Sequence, residues 1–188
     1  MTLVRTLSLA ALLATVVSSP PRSEEQPQTA PTRDVDITYQ ITRPGQPVIL
    51  ERRRWLASQH LRRVDGPDKS ATIFDQSRGE LTVLNAANQT YLTLEGPAAK
   101  RMSPQGTTLK RGGEYKIAGQ NCIDWSWMED TEMHSACLTS DGVLLRLLID
   151  GRVVAEARSV LYATQPPELF VVPPGYEPAL APGGGPAE

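Results

Sequence analysis

The sequence predicts a mainly β fold: a strongly curved antiparallel sheet or incomplete β-barrel with one or two short helices. Three observations carry this. Apolar residues recur with a period of two through most of the chain, the pattern of strands with one buried face. Turn clusters such as Asp65-Gly66-Pro67-Asp68 and Asp150-Gly151 punctuate it at short intervals. Eleven candidate strands result, and open twisted sheets seldom exceed about ten strands without bending or closing.

The first strand, Asp34 to Thr42, shows the pattern best, with Val35, Ile37, Tyr39 and Ile41 on one face and Asp36, Thr38 and Gln40 on the other. Pro44 to Pro47 turns the chain into a second strand, Val48 to Ala57, and a third runs from about Ser58 to Val64. Ala71 to Phe74, Glu80 to Leu84 and Thr90 to Leu94 follow at the spacing of an antiparallel meander. Gly96 to Met102 is the one middle segment with helical character. Beyond Gly112 and Gly113 come Glu114 to Ala118, Asn121 to Met128, His134 to Thr139, Val143 to Ile149 and Val153 to Ala163, the last three separated by Ser-Asp-Gly and Asp-Gly turns.

The two ends read differently. Arg5 precedes a largely apolar run from Leu7 to Val17 that stops at Ser18, Ser19 and Pro20. That is the pattern of a secretory signal peptide, residues 1–19, and it is too short for a membrane span of about 20 residues. Removing it leaves no transmembrane segment in the mature chain and implies a periplasmic protein. Residues 20–33 are rich in Pro, Gln, Thr, Ser and Glu and read as a flexible leader, and 178–188 as a disordered tail. The folded domain is expected over 34–177.

Composition narrows the function. Lys plus Arg is 19 against 21 Asp plus Glu, a balance without the cationic field that nucleic acid requires. No serine lies in a G-x-S-x-G elbow and no glycine run leads from a strand into a helix, so no enzyme and no cofactor is implied.

Within the domain, Cys122 and Cys137 flank a polar stretch whose midpoint falls between Glu129 and Asp130. A hairpin centred there makes the cysteines direct cross-strand neighbours and predicts a disulfide in an oxidising compartment. Trp125 and Trp127 leave their strand on one face, opposite Cys122 and Asp124, and with Trp55 and Phe74 are candidates to line an apolar ligand cavity or to fill an ordinary core. Met128, Met133 and His134 surround the hairpin tip, soft ligands that suit Cu(I) or else a solvated turn. Arg52, Arg53, Arg54, Arg62 and Arg63 crowd two consecutive strands. Alternation turns Arg53 away from Arg52 and Arg54, which predicts a solvated outer face and one inward or rim arginine paired with Asp124 or Glu51.

Taken together, Arg54-Trp55, Leu61-Arg62-Arg63-Val64-Asp65, Ile73-Phe74-Asp75, Leu81-Thr82-Val83-Leu84-Asn85 and Tyr91 resemble the periplasmic LolA-like superfamily, named for the lipoprotein carrier fold. An uncharacterised group of exported domains with that fold is similar also in segments like Ala118 to Cys122 and Phe170 to Tyr176. The resemblance implies a bent antiparallel sheet around short helices, with an apolar cavity for acyl chains. The leading expectation is thus a non-catalytic periplasmic carrier for a lipid or other amphiphile. An envelope protein-interaction or stress-sensor module, with an envelope protein as partner, is the alternative, and a copper-binding protein the third.

Overall fold

A computed structural model describes residues 26–66, 68–95 and 108–179. Eleven antiparallel strands form at the predicted places: β1 (Val35–Ile41), β2 (Ile49–Leu56), β3 (Leu61–Asp65), β4 (Ala71–Asp75), β5 (Glu80–Asn85), β6 (Thr90–Glu95), β7 (Lys110–Ile117), β8 (Gln120–Glu129), β9 (Glu132–Leu138), β10 (Leu144–Ile149) and β11 (Arg152–Leu161). A two-residue strand, β12 (Glu177–Pro178), adds parallel to β6. The predicted helix-like segment, Gly96 to Met102, lies outside the described residues. Among the described residues the helical elements are the 3-10 turns Ala57–Gln59 and Pro167–Phe170.

All strands belong to one open sheet in the order β12-β6-β5-β4-β3-β2-β1-β11-β10-β9-β8-β7. The strand order is not the chain order: two meanders, β1 to β6 and β7 to β11, are joined edge to edge where β1 pairs with β11. The second meander therefore begins at the far edge and works back to β1, so the first and last long strands lie side by side. This junction rests on pairing between residues more than a hundred positions apart, which local periodicity does not encode.

At two buried positions the seam sets a small side chain against a large one. Tyr39 and Ile41 of β1 face Ala157 and Ala155 of β11, and Ala155 in turn faces Leu147 of β10. Over these alanines the Tyr39 hydroxyl donates a 2.6 Å hydrogen bond to the Leu144 carbonyl, two strands away. Register shifts between Thr38 and Tyr39, between Leu144 and Arg146 and between Leu147 and Leu148 concentrate β-bulges in the same region. Bulges bend the strand that carries them, so the sheet folds along this line.

Three buried clusters hold the fold. Val35, Ile37, Tyr39, Ile41 and Trp55 pack with Val143 and Leu145 near the seam, and Leu109, Trp125, Ala136 and Leu138 pack beside them. A third cluster, Leu56, Leu61, Ala71, Ile73 and Leu84, occupies the other face of β2 to β5 and is capped by Phe170. The C-terminal segment thus covers the back of the first meander, and β12 clips its end to β6.

Cys122 and Cys137 form the predicted disulfide, with Cα atoms 5.4 Å apart. Its register is corrected. Glu129 pairs with Glu132, so the hairpin turns between Asp130 and Thr131, one residue later than the midpoint of the cysteines. Asp130 takes the left-handed conformation (φ 53°), which aspartate tolerates better than most residues. Cys137 consequently lies opposite Asp124, and the bridge runs diagonally to Cys122.

Candidate functional site

The bend produces a cavity of about 330 Å³ on the inner face. Its walls come from β1 (Ile37, Tyr39), β2 (Arg53, Trp55), β3 (Arg62), β8 (Trp127), β9 (His134, Ala136, Leu138) and β10 (Leu144, Leu147, Ile149). In a flat sheet β3 and β8 would stand six strand spacings apart, roughly 29 Å at about 4.8 Å each. Lining one hollow requires the two meanders to face each other.

Thr29 and Pro31 also line the hollow, although they precede the first strand. Thr32 donates its backbone N–H to the Asp141 carbonyl at 3.0 Å, Arg33 binds the Asp141 carboxylate at 2.8 Å, and the Leu109 N–H reaches the Gln26 side chain at 3.3 Å. Gly142 makes the close approach possible. It has φ +87°, and a Cβ there would lie 2.2 Å from the Ala30 carbonyl oxygen.

Of the predicted cavity residues, Trp55 and Trp127 stand in the wall. The Trp127 ring stacks on His134 with centroids 5.3 Å apart. Trp125 leaves on the same face but is packed among Leu109, Ala136 and Leu138. Phe74 is buried, with the Arg62 guanidinium 5.4 Å from its ring centre. Met128 and Met133 sit opposite each other on the hairpin and are about half exposed, whereas His134 pairs with Trp127 and turns into the cavity. Period two places the two thioethers and the imidazole on opposite faces, so the structure does not bring that set together.

The five arginines divide as alternation requires. On the outer face Arg52 and Arg54 meet Asp36, Arg54 also meets Asp65 at 3.1 Å, and Arg63 meets Asp65 at 2.7 Å. On the inner face Arg53 pairs with Glu51 at 2.6 Å, the second of the two predicted carboxylates. Asp124 lies on the other side of its strand and accepts a hydrogen bond from Ser135. A second inward arginine, Arg62, was not legible, because the 3-10 turn at Ala57–Gln59 and His60 (φ 54°) interrupt the alternation between β2 and β3. Burial, and then the neighbouring charge of Arg53, lower Arg62 to about 10.

Burial also raises the Tyr39 phenol to about 12. An acid group whose folded pKa lies above its unfolded value of about 10 costs stability once the unfolded form ionises. The contribution of neutral Tyr39 is therefore fully present below pH 10 and falls by about 2 to 3 kcal/mol as pH approaches 12. Arg62 acts in the opposite sense over the same window, since its folded form loses a proton more readily. Tyr39→Phe isolates the tyrosine: the variant should lack one late-titrating phenol in an ultraviolet pH titration and lose stability less steeply above pH 10. Identical alkaline profiles would contradict this assignment.

No family model matches the chain, and no curated protein matches it. Solved structures do. An uncharacterized conserved protein from Thermus thermophilus superposes with a TM-score of 0.55 at 14% identity, over 79% of this chain and 90% of that one. MucB superposes with a TM-score of 0.53 at 12% identity over 78% of this chain. The fold is LolA-like. The chain spans 59% of MucB. In the complex of Pseudomonas aeruginosa MucA and MucB the score is 0.51 at 13% identity, over 73% of this chain and 55% of that one. Among the described residues no helix is long and apolar enough to cross a membrane.

Proposed function

We propose that the protein is a non-catalytic periplasmic binding protein, exported by residues 1–19, that holds a lipid or other amphiphile in the hollow of its bent sheet. The observation that carries this reading is the cavity itself: about 330 Å³, walled by Trp55, Trp127, Leu144, Leu147 and Ile149, with charged groups at Arg53, Arg54, Arg62 and Glu129. Small-molecule sites are typically hollows of about 300–1,000 Å³ with mostly apolar walls and a few polar groups that fix orientation. A single-tailed amphiphile matches that chemistry, its tail against the indoles and leucines and its head towards the charges.

The test is native mass spectrometry of gently purified protein together with displacement of a fluorescent fatty acid. Expected are a copurifying amphiphile and saturable, competable binding that weakens about tenfold or more in Trp127→Ala. Absence of both a bound species and saturable binding would remove the reading.

A second reading, an envelope protein-interaction module, is supported by the likeness to MucB, which is solved in complex with MucA. Open sheet edges favour it, for β7 is exposed along most of its length. The two readings part in a crosslinking experiment. A carrier is recovered as a lipid-bound monomer, a docking module with one dominant protein.

A further inference from the structure

We propose that residues 26–33 select the length of the tail that the hollow accepts. The inference rests on the reading of the hollow as an amphiphile site and adds its size selection. Gln26-Pro27-Gln28-Thr29-Ala30-Pro31-Thr32-Arg33 precedes β1 and forms a strap with no helix or strand of its own. Pro27 and Pro31 fix their own backbone φ and bias Gln26 and Ala30 towards extended conformations, so the segment behaves as a stiff lath.

Its two ends are fastened unequally. At the end next to β1, Arg33 donates two bonds to one Asp141 carboxylate oxygen at 2.8 and 3.0 Å, and its central carbon stands 3.9 Å from the Tyr162 ring centre. The Thr139 and Tyr162 hydroxyls donate to the other carboxylate oxygen at 2.6 and 3.1 Å, which fixes the anchor. At the far end a single bond, from the Leu109 N–H to the Gln26 side chain, holds the tip. Leu109 stands just before β7, the edge strand, whereas Asp141 and Gly142 turn the chain from β9 into β10, three strands further in. Three strand spacings are about 14 Å, and six residues of extended chain reach about 20 Å. The strap therefore crosses β8 and β9, and Thr29 and Pro31 line the hollow together with Trp127, His134 and Ala136 of those strands.

This wall differs from the others. The strands are held by ladders of backbone hydrogen bonds, whereas Pro27 to Pro31 make no hydrogen bond among the described residues. A segment so held opens at lower cost than the sheet beneath it. Volume then sets the limit. At roughly 30 Å³ per non-hydrogen atom, the share of one water in the liquid, a hollow of about 330 Å³ holds about eleven such atoms. A tail of that size fits behind the strap. A longer one has to push Thr29 and Pro31 aside and break the Gln26 bond, so its extra methylenes gain no burial until the strap moves.

Displacement of a fluorescent fatty acid by the saturated series from octanoate to hexadecanoate tests the inference. It is run on the mature chain, residues 20–188, on the same chain without residues 20–32, and on Gln26→Ala. In the unmodified chain affinity is expected to rise about fourfold per added methylene and to level off near dodecanoate. Without the strap the rise continues to hexadecanoate, and Gln26→Ala raises the ratio of hexadecanoate to dodecanoate affinity about threefold or more. A rise that continues to hexadecanoate in the unmodified chain, or levelling at the same length with and without the strap, overturns the size selection while leaving the cavity reading intact. Displacement by no member of the series overturns both. Circular dichroism establishes whether the shortened chain folds, and where it does not, an unchanged ratio in Gln26→Ala overturns the proposal.

Discussion

Replacing Cys122 with Ala, or reducing its bridge to Cys137, is expected to lower the unfolding free energy by about 2 to 5 kcal/mol. The bridge closes a sequence separation of 15 residues, for which loop entropy gives about 3 kcal/mol. Local geometry adds to this. Both cysteines are nearly inaccessible, Cys137 at 0% and Cys122 at 3% exposure, so a thiol released there stays in apolar surroundings. Because β8 and β9 carry Trp127 and His134, loosening the hairpin also loosens one wall of the hollow. Urea unfolding with and without reductant, alongside a thiol assay of the native protein, provides the measurement. Reactive thiols in the oxidised native protein, or unfolding midpoints that coincide with and without reductant, would contradict the expectation.

The strands were legible because their information is local. Val35, Ile37, Tyr39 and Ile41 alternate without a break, and the structure buries all four while leaving Asp36, Thr38 and Gln40 on the other face. Turn residues located the hairpins to within a residue or two. At Glu129-Asp130-Thr131-Glu132 a centre one position later reads equally well, and the left-handed Asp130 selects it. Such a slip displaces a cross-strand partner by two residues, and the disulfide tolerates it because diagonal neighbours also fall within bridging distance.

The cavity was only partly legible. Trp55 and Trp127 follow from alternation, but the hollow exists because β1 meets β11 and the sheet bends there over Ala155 and Ala157. Alanine in a strand carries no local signature of a bend. The contributions of Thr29 and Pro31 depend on the Asp141 turn, a contact across more than a hundred residues. Arg62 was hidden for a different reason: its face is set by the 3-10 turn before it, and parity cannot be counted through an irregular turn.

Phe170→Ala is expected to have the other large effect, a loss of about 3 to 5 kcal/mol. The first meander buries apolar side chains on both faces: the inner one borders the cavity, and the outer one carries Leu56, Leu61, Ala71, Ile73 and Leu84 beside its arginine and aspartate pairs. Such a back surface is unstable in water unless something covers it. Phe170, 4% exposed, is the anchor of the cover, and its neighbour Leu169 accepts a 2.7 Å hydrogen bond from Arg63 through its carbonyl. Truncating the ring removes a large buried area and leaves a void that the short Pro167–Phe170 turn has few means to close. Val171, 52% exposed, supplies the comparison: Val171→Ala should change stability by no more than about 0.5 kcal/mol. Urea unfolding of the two variants, with limited proteolysis between Leu161 and Glu177, separates them. Equal stability of both would mean that the C-terminal segment merely rests on the sheet. A large loss confined to Phe170→Ala, with amphiphile binding retained by the folded fraction, would mean that the back of the sheet holds the bend while the front holds the ligand.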